Sequence, residues 1–176
     1  RGDDLPGFVH ALLAVRGGNS EAFRAAASSF EQTPGPSDLQ AQQGNIDRHF
    51  SKPDVPAILA SLRDEGSDWA LQVLAQLQAR SPLMLGVALA QIRKARDMGL
   101  EDELRMERDM IRHSFALRPG SGSEAAEGVR ALAIDKDKQP RWSPARVEDV
   151  SADMVARYFV SPWPAHAHPL RDFLIQ

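Results

Sequence analysis

Apolar residues recur every three or four positions along most of this chain, which is the period of a helix. Between residues 5 and 15, Leu5, Phe8, Val9, Leu12 and Leu13 make one stripe, and Gly17-Gly18 predicts its end. Asn19-Ser20 predicts the cap of a second helix, running through an alanine-rich stretch to Phe30. Residues 32–45 contain the breaker cluster Thr33-Pro34-Gly35-Pro36-Ser37, which predicts an exposed loop and the best internal boundary, with a helical turn at 46–50. Val55, Ile58, Leu59 and Leu62 predict a helix over residues 53–65 that Gly66 ends. Ser67 then caps the next, whose inner face is Trp69, Ala70, Val73, Leu74 and Leu77.

Ser81-Pro82 starts another helix, with serine at the cap and proline where its missing N–H costs nothing. Leu83, Met84, Leu85, Val87, Leu89 and Ile92 cover most of that helix's circumference, so it is expected to be buried on several sides. Gly86 in its middle lowers helix propensity by about 1 kcal/mol relative to alanine, which implies a close backbone contact. Arg93, Lys94 and Arg96 suit its C-terminal dipole. After Gly99, a long amphipathic helix over residues 100–115 has Leu100, Leu104, Ile111 and Phe115 in one row. Glu107 shares that row and is read as a carboxylate paired with Arg108, Arg112 or another helix.

Pro119-Gly120-Ser121-Gly122-Ser123 reads as a connector. Ser121-x-x-Glu124 has the spacing of a capping box for a helix reaching Ile134. Ser151 caps a last helix over residues 152–159, and a proline-rich tail follows, with Leu170, Phe173, Leu174 and Ile175 in need of something to pack on. No alternating β-branched run and no internal repeat occurs, so the fold class is all-α.

Composition narrows the function classes. Of 176 residues, 43% are hydrophobic and 26% charged, ordinary for a globular domain. A formal net charge of −3 argues against whole-surface attraction to nucleic acid or anionic lipid. The chain has no cysteine, which excludes disulfides and thiolate zinc sites. No apolar run approaches the roughly 20 residues of a membrane span. Arg1-Gly2-Asp3-Asp4 shows neither an initiator methionine nor a targeting pattern, which leaves a processed, trimmed or fragmentary chain open.

Few residues suggest chemistry directly. His166-x-His168 beside Asp172 makes a weak metal site and reads as a solvated tail. His10, His49 and His113 are scattered, and read as surface or satisfied histidines. Neither a G-x-S-x-G elbow nor a P-loop is present. Over residues 130–146, Arg130, Lys136, Lys138, Arg141 and Arg146 face Asp135 and Asp137, five positive against two negative, a local excess of +3. Such a patch either holds phosphates or answers a helix dipole. Trp142, between Pro140 and Pro144, reads as a core anchor.

Four blocks occur in the order seen in the 3-hydroxyisobutyryl-CoA hydrolases, a branch of the crotonase (enoyl-CoA hydratase/isomerase) superfamily. They are Gly66-Ser67-Asp68-Trp69-Ala70-Leu71, Ser81-Pro82 with Leu85, Leu104-Arg105-Met106-Glu107, and Glu127-Gly128-Val129-Arg130-Ala131. The last continues into Ile134-Asp135-Lys136-Asp137 and Pro140-x-Trp142-x-Pro144. The chain resembles the C-terminal end of those hydrolases over residues 46–159. It departs at Glu124-Ala125, where many hydrolases have Asp-Phe.

The resemblance implies a chain in three parts: a helical linker region at 1–45 following an absent crotonase core, a C-terminal helical domain at 46–160, and a proline-rich tail at 161–176. It implies hydrolysis of a short 3-hydroxyacyl-CoA thioester in valine breakdown. Backbone N–H groups of a ββα spiral core stabilise the oxyanion, so no catalytic residue falls in this chain. Coenzyme A is part of the substrate, with no further cofactor and no metal. Partners implied are an acyl-CoA substrate, the core of the same parent protein and a second copy of the chain, with no nucleic acid and no membrane. The compartment is the cytoplasm in a bacterium and the mitochondrion in a eukaryote. In crotonase relatives the last helix places an aromatic and a lysine near the CoA nucleotide. A gap-free match puts these at Leu132 and Asp135, one position from Lys136. The implied CoA contacts are therefore Arg130, Lys136 and Lys138. A hydratase or isomerase of the same superfamily, or a non-catalytic helical interaction protein such as a hydrolase-like ribosomal component, remains the alternative.

Overall fold

A computed structural model describes residues 4–16, 19–31, 35–118 and 120–173. Gly17-Gly18, Thr33-Pro34, Pro119, Leu174 and Ile175, each read above for a role, lie outside the described residues. Among the described residues there is no strand, and the fold is all-α. The chain divides into two compact units, Arg1–Gly44 and Asn45–Gln176.

The first unit is built on α1 (Leu5–Leu13) and α2 (Ser20–Ser28). The Asn19 side chain caps α2 by accepting from Ala22 N–H at 2.7 Å. Phe8 meets Phe30 edge to face with ring centroids 5.7 Å apart. Leu5, Val9 and Leu13, one turn apart along α1, stay exposed. The stretch expected to be a loop carries a helical turn, α3 (Asp38–Ala41), because Ser37 accepts from Gln40 N–H. Next, α4 (Gln43–Phe50) begins earlier than the turn foreseen at residue 46.

The second unit holds two apolar clusters. In α5 (Val55–Glu65), Asp54 caps the start and Gly66, at φ 65°, supplies the left-handed end. Ser67 immediately caps α6 (Asp68–Gln78). Val55, Ile58, Leu59 and Leu62 of α5 pack with Ala70 and Leu74 of α6, and Trp69, Val73 and Leu77 lean on the same cluster. Each fully buried leucine here contributes about 1.5–3 kcal/mol.

The helix α7 (Pro82–Ala95) joins both clusters. Leu85 and Leu89 pack on the first, while Leu83 and Val87 enter the second with Met106, Met110 and Tyr158. Its nearly all-round apolar character thus reflects burial on two sides, although Ile92 remains 69% exposed. A Cβ added at Gly86 would lie 3.0 Å from Val155 Cγ2, the close approach expected there. Val155 belongs to α10 (Ala152–Ala156), capped by Ser151 and continued by a 3₁₀ turn, Arg157–Phe159.

One expectation about α8 (Leu100–Ala116) fails. The row Leu100, Ile111 and Phe115 is more than half exposed, and the buried face is Met106, Asp109, Met110 and His113. Its two polar members are neutralised by hydrogen bonds, which is what lets that side turn inward. His113 Nε2 donates to Val160 O at 2.6 Å. Glu107 accepts from Gln91 of α7 at 3.0 Å, a partner on another helix.

Most of the tail is exposed, as expected, but it is pinned to the rest of the unit at a few points. His168 is buried, its Nε2 3.1 Å from Asp109 Oδ1, and its Nδ1 accepts from Leu170 N–H. Arg105 donates to Leu170 O at 3.1 Å and Phe173 O at 2.7 Å, and Arg108 stacks on Trp163. His49, also buried, bridges Ser61 and Glu65 of α5.

Candidate functional site

The segment that carries the local charge excess starts at α9 (Glu124–Val129). Ser123, not Ser121, is its cap: the Ser123 hydroxyl accepts from Ala126 N–H at 3.2 Å and donates to Ser114 O at 2.6 Å. Glu124, the first helical residue, is buried and accepts from the Ser81 hydroxyl at the start of α7 and from Ser143 N–H at 3.3 Å. Arg118 stands 3.9 Å from the same carboxylate. These bonds tie the segment to α7 and α8.

After Val129 the helix widens into a π turn, Arg130–Ile134, closed by Asp135 N–H donating to Arg130 O at 2.8 Å. Gly128 faces Trp142: a Cβ there would stand 3.4 Å from the indole, so the glycine lets the returning Pro140-x-Trp142 segment lie close. Trp142, read from sequence as a core anchor, is half-buried and lies against Gly128 outside both apolar clusters.

Arg130 organises the whole turn. Its guanidinium donates twice to Glu127, at 2.9 and 2.8 Å, and once each to Asp135 at 2.5 Å, Asp137 at 2.8 Å and Gln139 O at 3.0 Å. A guanidinium has five N–H donors, and all five are used within the chain. Glu127, itself buried, also accepts from Arg141 N–H at 2.6 Å. The Arg130 hydrogen bonds, then the Arg141 N–H, hold the Glu127 carboxyl down at about 2. Gln139 N–H and then Arg130 lower Asp137 as well, and Glu127 followed by Asp137 and Asp135 raises Arg130.

The three residues singled out from sequence therefore separate. Arg130 faces inward as the counter-ion of three carboxylates. Lys136 and Lys138 are exposed, both at φ 56° in the left-handed region, and among the described residues neither has an ion-pair partner. The +3 tally overlooked Glu127, although its i,i+3 spacing to Arg130 signalled the pair; Arg146 is also spoken for, by Glu148 at 3.3 Å. On the same segment Val129, Leu132 and Ile134 are exposed at 50%, 71% and 70%. Exposed apolar surface followed by two unpaired cations fits an anionic ligand with a flat apolar portion. Among the described residues no group of three His, Asp or Glu side chains is placed to hold a metal ion.

Comparison with known proteins adds to this geometry. The family described as enoyl-CoA hydratase/isomerase matches residues 1–159. A probable 3-hydroxyisobutyryl-CoA hydrolase 2 of Arabidopsis thaliana is 38% identical over 118 residues, 65% of this chain and 31% of that protein. The small ribosomal subunit protein mS47 of the same plant is 36% identical over 123 residues, 65% of this chain and 28% of that protein. The chain thus spans about three tenths of the length of the curated relatives it matches. A crystal structure of a carnitinyl-CoA dehydratase from Mycobacterium thermoresistibile superposes with a TM-score of 0.71 at 29% identity, covering 91% of this chain and 44% of that one.

Proposed function

This chain belongs to the enoyl-CoA hydratase/isomerase family, and we propose that it forms the helical wall of an acyl-CoA thioester hydrolase of the 3-hydroxyisobutyryl-CoA hydrolase type. In this reading water adds to the thioester carbonyl and the C–S bond breaks, releasing the acid and the CoA thiol. The groups that stabilise the oxyanion and deliver water sit in the sheet-rich remainder of the fold, and this chain contributes no catalytic residue. Lys136 and Lys138 receive the phosphates of the CoA portion, and Leu132 offers its apolar face to the nucleotide base. Arg130 is a positioning residue that holds the turn displaying them.

The observation that carries the reading is exposed Leu132 followed by Lys136 and Lys138, neither with an ion-pair partner among the described residues, in a chain similar to the hydrolases. Leu100, Ile111 and Phe115 of α8 and Ile92 of α7, all exposed, supply a seat for the remainder of the fold or for a second copy. The compartment that follows is the mitochondrion in a eukaryote and the cytoplasm in a bacterium. In the complete enzyme, replacing Lys136 and Lys138 by alanine raises KM for acyl-CoA more than it lowers kcat. An exposed charge pair of roughly 1 kcal/mol corresponds to about fivefold per lysine, and an unchanged KM removes them from the site.

The similarity to mS47 supports a second reading, a structural role without catalysis in a ribosomal subunit. Thioester hydrolysis by the purified complete protein separates the two.

A further inference from the structure

We propose that the groove between α5, α7 and α10 is a binding site for an aliphatic carboxylate of about eight to ten carbons, separate from the CoA surface. The groove encloses about 640 Å³, within the roughly 300–1,000 Å³ of small-molecule sites. Gly86, Leu89 and Ala90 of α7 form one wall, and Val150, Val155 and Phe159 form the wall facing it. The glycine sets the distance between these walls, since Val155 would crowd any side chain there.

Cationic groups gather at one end. Arg93 and Lys94, both exposed, line the groove at the last turn of α7. Arg93 spends two donors on backbone carbonyls, Lys52 O and Pro53 O, each at 2.6 Å, and among the described residues it has no ion-pair partner. Its role is therefore not only the dipole complement expected from sequence. Lys94 stands over the Phe159 ring at 5.3 Å, on the boundary between the apolar wall and solvent. The two carboxylates on the rim are already committed. Asp54 caps α5 through Ala57 N–H at 2.8 Å, and Glu148 accepts from Arg146 at 3.3 Å. A long apolar trough with its uncommitted charge at one end is complementary to an amphiphile carrying one negative head. Gly86 to Lys94 spans about 12 Å of helix, close to the roughly 9–11 Å of an extended chain of eight to ten carbons, whose zigzag advances about 1.25 Å for each C–C bond of about 1.5 Å.

Isothermal titration of the 176-residue chain with octanoate, octanol and butyrate, each below micellar concentration, tests this. Saturable one-site binding of octanoate is expected, with octanol and butyrate at least about tenfold weaker. Lys94→Gln weakens octanoate about fivefold, the size of one exposed ion pair, and Ala90→Trp abolishes it by filling the trough. If Ala90→Trp fails to fold, the Lys94→Gln arm decides alone. Absence of saturable octanoate binding overturns the proposal. So does octanol binding as tightly as octanoate, or a Lys94→Gln chain indistinguishable from wild type.

Discussion

Replacing Gly86 by alanine sets two effects of known sign against each other. Alanine improves helix propensity by about 1 kcal/mol over glycine in a helix interior. The new Cβ, however, lands 3.0 Å from Val155 Cγ2 and 3.6 Å from Val150 Cγ1. Valine is stiff at χ1, so relief requires α10 to move, and overpacking of this kind costs about 1–3 kcal/mol. The expected net effect is a destabilisation of about 1 kcal/mol, or roughly 2–4 °C in Tm for a unit of this size. Trp69, Trp142 and Trp163 all lie in the unit Asn45–Gln176, so tryptophan fluorescence during urea unfolding reports on the right part of the chain. Introducing Val155→Ala first removes the obstructing methyl. In that background Gly86→Ala becomes stabilising, by up to about 1 kcal/mol, and the difference between backgrounds is the coupling energy. A Gly86→Ala chain more stable than wild type, or an identical effect in both backgrounds, refutes the argument that this glycine exists for the sake of α10.

Other perturbations follow from the polar contacts. Glu127 is held at about 2 against an ordinary 4.5, so its contribution to stability is complete above about pH 4.5 and disappears as pH falls through about 2. Asp137, also lowered, acts in the same direction. Glu127→Gln should therefore flatten the dependence of the urea midpoint on pH below 4.5, and an unchanged slope contradicts this. His168→Ala removes the bond to Asp109 that docks the tail on α8. A lost hydrogen bond of about 0.5–1.5 kcal/mol predicts hydrogen exchange roughly two- to tenfold faster at the amides of Arg171 and Phe173, with equal rates counting against docking through this pair.

Most of the helices were legible because their signals are local. Ser67, Ser81 and Ser151 each sit one residue before a helix and accept from the N–H three residues on, a pattern visible in a few letters. The errors arise where the decision is made at a distance. In α8 the most apolar row is exposed, since burial there follows partners that sequence spacing cannot show: Asp109 meets His168, 59 positions away, and His113 meets Val160, 47 away. The +3 patch failed in a similar way. Counting charges over residues 130–146 omitted Glu127, and only the folded turn shows that Arg130 has no donor to spare. What did reach across the distance was the family resemblance, because ordered blocks such as Glu127-Gly128 and Pro140-x-Trp142 carry spatial neighbours as well as composition: the indole of Trp142 lies where a side chain at Gly128 would point.

The saturation of Arg130 makes the turn after α9 a single mechanical element. One guanidinium spans residues 127, 135, 137 and 139, so these positions cannot loosen one at a time without leaving a carboxylate unanswered beside the others. The lysines between them are consequently shown to solvent either in one fixed arrangement or not at all, which turns two flexible side chains into a pair mounted on a rigid base.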